Sequence, residues 1–107
     1  MINDLVNRAH RNSVNHGFWE ENKNFGEVIA LMHTELSEAY EEYRNHKSLN
    51  ETYYEEDGKP CGIPSELADV IIRIFDFAGG ANIDLEKIIL EKMEYNEKRP
   101  YKHGKVN

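Results

Sequence analysis

Between Leu67 and Ala78 the chain carries Leu67, Val70, Ile71, Ile72, Ile74, Phe75, Phe77 and Ala78, an apolar run interrupted only by charged residues. It falls short of the ~18 consecutive apolar residues that mark a membrane span. A helix apolar over most of its circumference has to sit in the middle of a protein, so this segment organises everything around it. Pro64 stands where helices start and Gly79-Gly80 where they stop. The remaining apolar residues also follow the helical period, with almost no strict alternation of the kind a half-buried strand needs.

Three further helices follow from the same pattern. Ile2, Leu5, Val6 and Ala9 share a face over residues 2–13, and His16-Gly17-Phe18-Trp19 forms an aromatic connector. Asn24 and Glu27 have the outline of a capping box opening a long helix to about residue 43. Its inward face is expected to be Phe25, Val28, Ile29, Met32, Leu36, Ala39 and Tyr43. Asp84 is placed to cap a helix over residues 85–99, which Pro100 ends. Residues 45–63 are polar and hold Gly58, Pro60 and Gly62. So long a loop is functional, mobile, or locally helical near residues 53–56. The expected fold is all-α: a four-helix, bundle-like single domain over residues 1–107.

With 107 residues, 39% hydrophobic and 31% charged, the core is modest, which favours self-association through the apolar helices. Thirteen Lys and Arg against twenty Asp and Glu leave a net charge of −7. That balance opposes non-specific binding to nucleic acid or to an anionic membrane. A single cysteine, Cys61, excludes an internal disulfide and a thiolate metal cage. Residues 1–9 are too polar for a signal peptide, and a cytoplasmic location is expected.

The carboxylates are the chemically informative residues. Glu35 and Glu38 lie three apart on one flank of the second helix, and Glu66 and Asp69 repeat that spacing on the third, followed by Arg73 on the same side. Packing these helices brings four acids together, which is costly for bare charges and is relieved by a hard divalent cation such as Mg²⁺. Ordinary solvated helix charges are the competing reading. On the fourth helix the stripe Leu85, Ile88, Ile89 continues into Lys92, Asn96 and Arg99. Inward cations there either pair with the acids in a salt-bridge network or meet an anionic ligand. Lys102, His103 and Lys105 follow as a basic tail. No glycine-rich phosphate loop occurs, and no histidine has a Glu three residues before it, which disfavours a di-iron site.

Glu35-x-x-Glu38, 27 residues, then Glu66-x-x-Asp69 resembles the signature of the MazG-like all-α nucleoside triphosphate pyrophosphohydrolases. The block from Lys92 through Asn96, Arg99 and Lys102 to Gly104, together with His16-Gly-Phe-Trp19, is similar to small members of that family. Thr34 stands where some relatives carry another acid. The resemblance implies Mg²⁺, with Mn²⁺ able to substitute, held by Glu35, Glu38, Glu66 and Asp69. It implies hydrolysis of a nucleoside triphosphate between the α- and β-phosphates, with Glu35 or Glu38 positioning the water. It also implies substrate contacts from Lys92, Asn96, Arg99 and Lys102, and a homodimer or homotetramer. Trp19 would stack on the base or plug the space between the first two helices. Two rivals are a hydrolase of the same superfamily for another nucleotide, such as phosphoribosyl-ATP, and a non-catalytic helical interaction module.

Overall fold

A computed structural model describes residues 1–21 and 23–100 of the chain. It contains α1 (Ile2–Asn15), α2 (Phe25–Arg44), β1 (Tyr53–Tyr54), β2 (Pro60–Cys61), α3 (Ile63–Gly80) and α4 (Leu85–Glu97). The protein is therefore mostly helical with one small hairpin, and no described helix is long and apolar enough to cross a membrane.

Local chemistry explains the boundaries. Asn24 and Glu27 close the expected box, Glu27 N–H donating to Asn24 Oδ1 at 2.9 Å and Asn24 N–H to Glu27 Oε1 at 3.1 Å. Asp84 accepts from Lys87 N–H at 3.2 Å to start α4. Residues 45–63 do not form a helix near residue 53. Tyr53 pairs with Cys61 and Tyr54 with Pro60 in an antiparallel hairpin. Gly62 turns the chain from β2 into α3 at φ 110°, where a Cβ would strike the carbonyl oxygen of Glu51.

α3 is central, as its composition demands, and packs against both α1 and α2. α2 runs antiparallel to it: Phe25 meets Phe77 at 5.1 Å between ring centroids, while ten residues on Glu35 reaches Arg73. The inward face of α2 is rotated from the expected one. Ala39 and Glu35 are buried, whereas Phe25, Leu36 and Tyr43 are exposed.

The four helices do not close into a bundle. α4 lies principally along α1, joined where the helices begin. Asn3 N–H donates to Glu86 Oε1 at 3.1 Å, Glu86 N–H donates to Asn3 Oδ1 at 3.1 Å, and Asn3 Nδ2 donates to Asp84 Oδ1 at 2.8 Å. Beyond that joint α4 buries no residue. Its expected inward turn toward the acids does not occur, because periodicity defines a stripe without defining which neighbour receives it. The radius of gyration is 16.5 Å, against about 13 Å for a compact domain of this length.

Gly79 and Gly80 end α3, but their role is close packing. A Cβ on Gly79 would lie 2.6 Å from His10 Cβ, and one on Gly80 would strike the six-membered ring of Trp19. Trp19 also meets the His10 ring edge-on at 4.8 Å. Gly80→Ala is accordingly expected to lower stability by about 1–3 kcal/mol and to change Trp19 fluorescence. An unaltered melting curve and emission spectrum would contradict this seating.

Candidate metal centre and adjoining cleft

Helical spacing brings the predicted acids together. Glu35 and Glu38 on α2, with Glu66 on α3, each present a carboxylate oxygen within 4.8 Å of the others. Glu35 is the anchor: it is only 7% exposed, and Arg73 Nε lies 3.3 Å from its Oε1. Glu66 is half-buried and Glu38 exposed, so the cluster grades from interior to solvent.

Asp69 stands beside the trio rather than within it. Desolvation, then the charge of Glu35, raises its pKa, with Arg73 partly opposing the rise. Glu66 is raised as well, by desolvation first and then by Glu38, Asp69 and Glu35. Arg73 brings one positive charge to Glu35 and Asp69, and a cation would relieve the remaining repulsion among the acids. The donor set fits a hard divalent ion, being all carboxylate oxygen with no sulfur or imidazole.

A cleft of about 350 Å³ is lined by Glu35 and Asp69, while Glu38 and Glu66 lie outside its lining. Glu35, Asp69 and Arg73 lie at one side, and Phe18, Trp19, Val28, Leu31, Ile72 and Phe77 supply apolar wall. Lys23 also borders it, with its Nζ donating to the Phe18 carbonyl at 3.2 Å. Trp19 packs one edge on Gly80 of α3, and the residue remains 40% exposed along the cleft.

The cations of α4 are elsewhere. Lys92 Nζ lies 5.9 Å from the Tyr95 ring centroid and the Arg99 guanidinium 5.7 Å from the same ring. Neither Lys92, Asn96 nor Arg99 borders the cleft, and among the described residues Lys92 makes no ion pair with the acids. Lys102 lies outside the described residues. Burial raises the Cys61 thiol above its ordinary value, which opposes formation of the thiolate.

Asp76 was not among the expected site residues and lines the cleft with Arg73. The signal lay in spacing: Asp69, Arg73 and Asp76 are separated by four and three residues, which is one flank of a helix. Compared with known proteins, the chain matches no family model, no curated protein and no solved structure.

Proposed function

We propose that this chain is a Mg²⁺-dependent nucleoside triphosphate pyrophosphohydrolase, releasing a monophosphate and pyrophosphate. The observation that carries the reading is the convergence of Glu35, Glu38 and Glu66 within 4.8 Å, with Asp69 beside them, at the edge of a cleft walled by aromatic and aliphatic side chains. Glu35, Glu38 and Glu66, with Asp69 beside them, would hold a divalent ion, which would supply charge neutralisation of phosphate oxygens and a more acidic water.

The chain's own groups divide the remaining work. Glu35 is committed to Arg73, whereas Glu38 is exposed, so Glu38 is the carboxylate open to accept a proton from attacking water. Water adds at the α-phosphorus, the bond from that phosphorus to the bridging oxygen breaks, and pyrophosphate leaves. Arg73 orients Glu35, and Lys23 supplies positive charge at the cleft margin.

Lys92, Asn96 and Arg99 enter this reading only through a second copy. Among the described residues no large side chain is fully buried, and Leu67, Ile71 and Ile74 leave 46%, 49% and 36% of their surface exposed along one stripe of α3. A homodimer or homotetramer covering that stripe would bring α4 of one copy toward another.

The test is incubation with a panel of ribo- and deoxyribonucleoside triphosphates and phosphoribosyl-ATP, assaying pyrophosphate, monophosphate and orthophosphate separately. Pyrophosphate release with Mg²⁺ or Mn²⁺, abolished by EDTA, is expected. Turnover undiminished in excess chelator would remove the acids as ligands, and no release from any nucleotide would leave the interaction-module reading in its place.

A further inference from the structure

Two helical turns along α3 from Asp69, Asp76 is the carboxylate that α3 contributes to the far part of the cleft, where α1 adds Asn12 and Ser13. Its side chain is 23% exposed, which sets it apart from a solvated helix charge. Trp19 Nε1 donates to Asp76 Oδ1 at 2.8 Å, and His10 Nδ1 lies 3.0 Å from the same oxygen. Both partners converge on Oδ1, so Oδ2 has no donor among the described residues, and it is not sealed away from solvent. No Lys or Arg among them pairs with this carboxylate.

Position adds to the chemistry. Asp76 lies seven residues beyond Asp69 on α3, about 10 Å along the helix at ~1.5 Å per residue. That is the order of the reach from an α-phosphorus, across a sugar, to the outer edge of a base. Phe18, Trp19 and Phe77 line the space between, offering flat apolar surface to a heterocycle.

We propose that this end of the cleft receives the nucleobase, and that Asp76 selects a base bearing an exocyclic amino group on its outer edge, cytosine or adenine, over the carbonyl-bearing uracil, thymine or hypoxanthine. The proposal rests on the pyrophosphohydrolase reading for its substrate class. An amino group donates to Asp76 Oδ2. A carbonyl at the same place sets acceptor against acceptor and leaves a partly desolvated carboxylate unmatched. Trp19 and His10 are positioning residues, holding Oδ1 so that Oδ2 is the oxygen left for the ligand.

Trp19 is the one tryptophan of the chain, so its fluorescence reports binding without turnover. Metal-free titration with dCMP and dUMP, which differ in the group at C4 and in the proton on N3, should give affinities differing by roughly 10–100-fold in favour of dCMP, the range of a hydrogen bond to a charged group. The kcat/KM values for dCTP and dUTP should differ in the same sense. Asp76→Asn offers an amide N–H to a carbonyl and should bring the dCMP/dUMP ratio to unity or reverse it. A structural role alone would weaken both ligands equally and leave the ratio unchanged, which overturns the proposal. If Asp76→Asn does not fold, the wild-type ratio decides, and parity overturns the proposal. Preference for dCMP without pyrophosphate release sustains the base site and removes the hydrolase reading. Equal hydrolysis of dCTP and dUTP keeps the hydrolase and removes the selectivity of Asp76.

Discussion

Glu38→Gln should reduce pyrophosphate release by roughly 10²–10⁴-fold, the usual contribution of a positioned proton acceptor, while the metal-free protein melts at or above the wild-type temperature. The second half of this expectation follows from repulsion within the cluster. Glu66 is raised from its ordinary value partly by the charge of Glu38, so keeping both ionised at neutral pH opposes folding. Glutamine removes one of those charges and pairs equally well with solvent. The sign with pH is definite. A carboxyl whose pKa is raised in the folded state favours folding below its ordinary value and loses that contribution as pH rises through the folded value. The advantage of Glu38→Gln in EDTA should therefore be present at neutral pH and shrink as the solution is acidified and Glu66 and Asp69 protonate. Added Mg²⁺ should reverse the order, stabilising the wild type more than the variant. A variant that melts well below wild type in EDTA would mean that Glu38 has a structural partner, and the acids would no longer read as a metal centre.

Ile71→Glu is expected to act on assembly. The wild-type chain should have two or four times the monomer mass by light scattering at micromolar concentration. Glutamate at the middle of the Leu67–Ile71–Ile74 stripe should drive it to monomer. Each of those side chains forgoes about 1 kcal/mol while half-exposed, and burying a charge in their place is more costly still. Because α4 sits away from the acids within one copy, dissociation should also remove the contribution of Lys92 and Arg99 to turnover. A monomeric wild type would contradict the assembly. A monomeric Ile71→Glu variant with full turnover would show that the α4 cations are not used.

Features governed by a few neighbouring residues were legible from the sequence. The Asn24–Glu27 box and the Asp84 cap depend on atoms three residues apart, and both formed. The acidic cluster was legible for a related reason: two i, i+3 pairs on helices that must touch leave little freedom in where the carboxylates go. The hairpin was not, since two-residue strands are too short to show alternation and are held by pairing across the loop. The direction of α4 was not legible either, because the Asn3–Glu86 exchange that sets it joins residues 83 apart. Gly79-Gly80 marks a helix stop in the sequence and does end α3, yet the space those two glycines leave is taken by the side chains of His10 and Trp19 from another part of the chain. For Asp76 the spacing from Asp69 and Arg73 indicates only a shared flank, because the groups that define its setting, His10 and Trp19, lie 66 and 57 residues away.

The hairpin bears on the acidic cluster in a way its small size conceals. Tyr53 donates its hydroxyl to Glu42 Oε1 at 2.5 Å, and that bond pushes the Tyr53 pKa up to about 12, so the phenol keeps its proton well into the alkaline range. It attaches the connection between α2 and α3 to α2 one turn past Glu38, while Gly62 seats the far end against Glu51. The hairpin consequently serves as a gauge block for the two helices. Sliding α3 by a single turn would displace Glu66 by about 5.4 Å, more than the 4.8 Å that bounds the three carboxylate oxygens. The exposed side chains beside the tip can thus vary, Gly58 itself excepted because its φ of 88° favours glycine, whereas a change in the length between Tyr53 and Glu42, or between Cys61 and Glu66, would take the acids out of register.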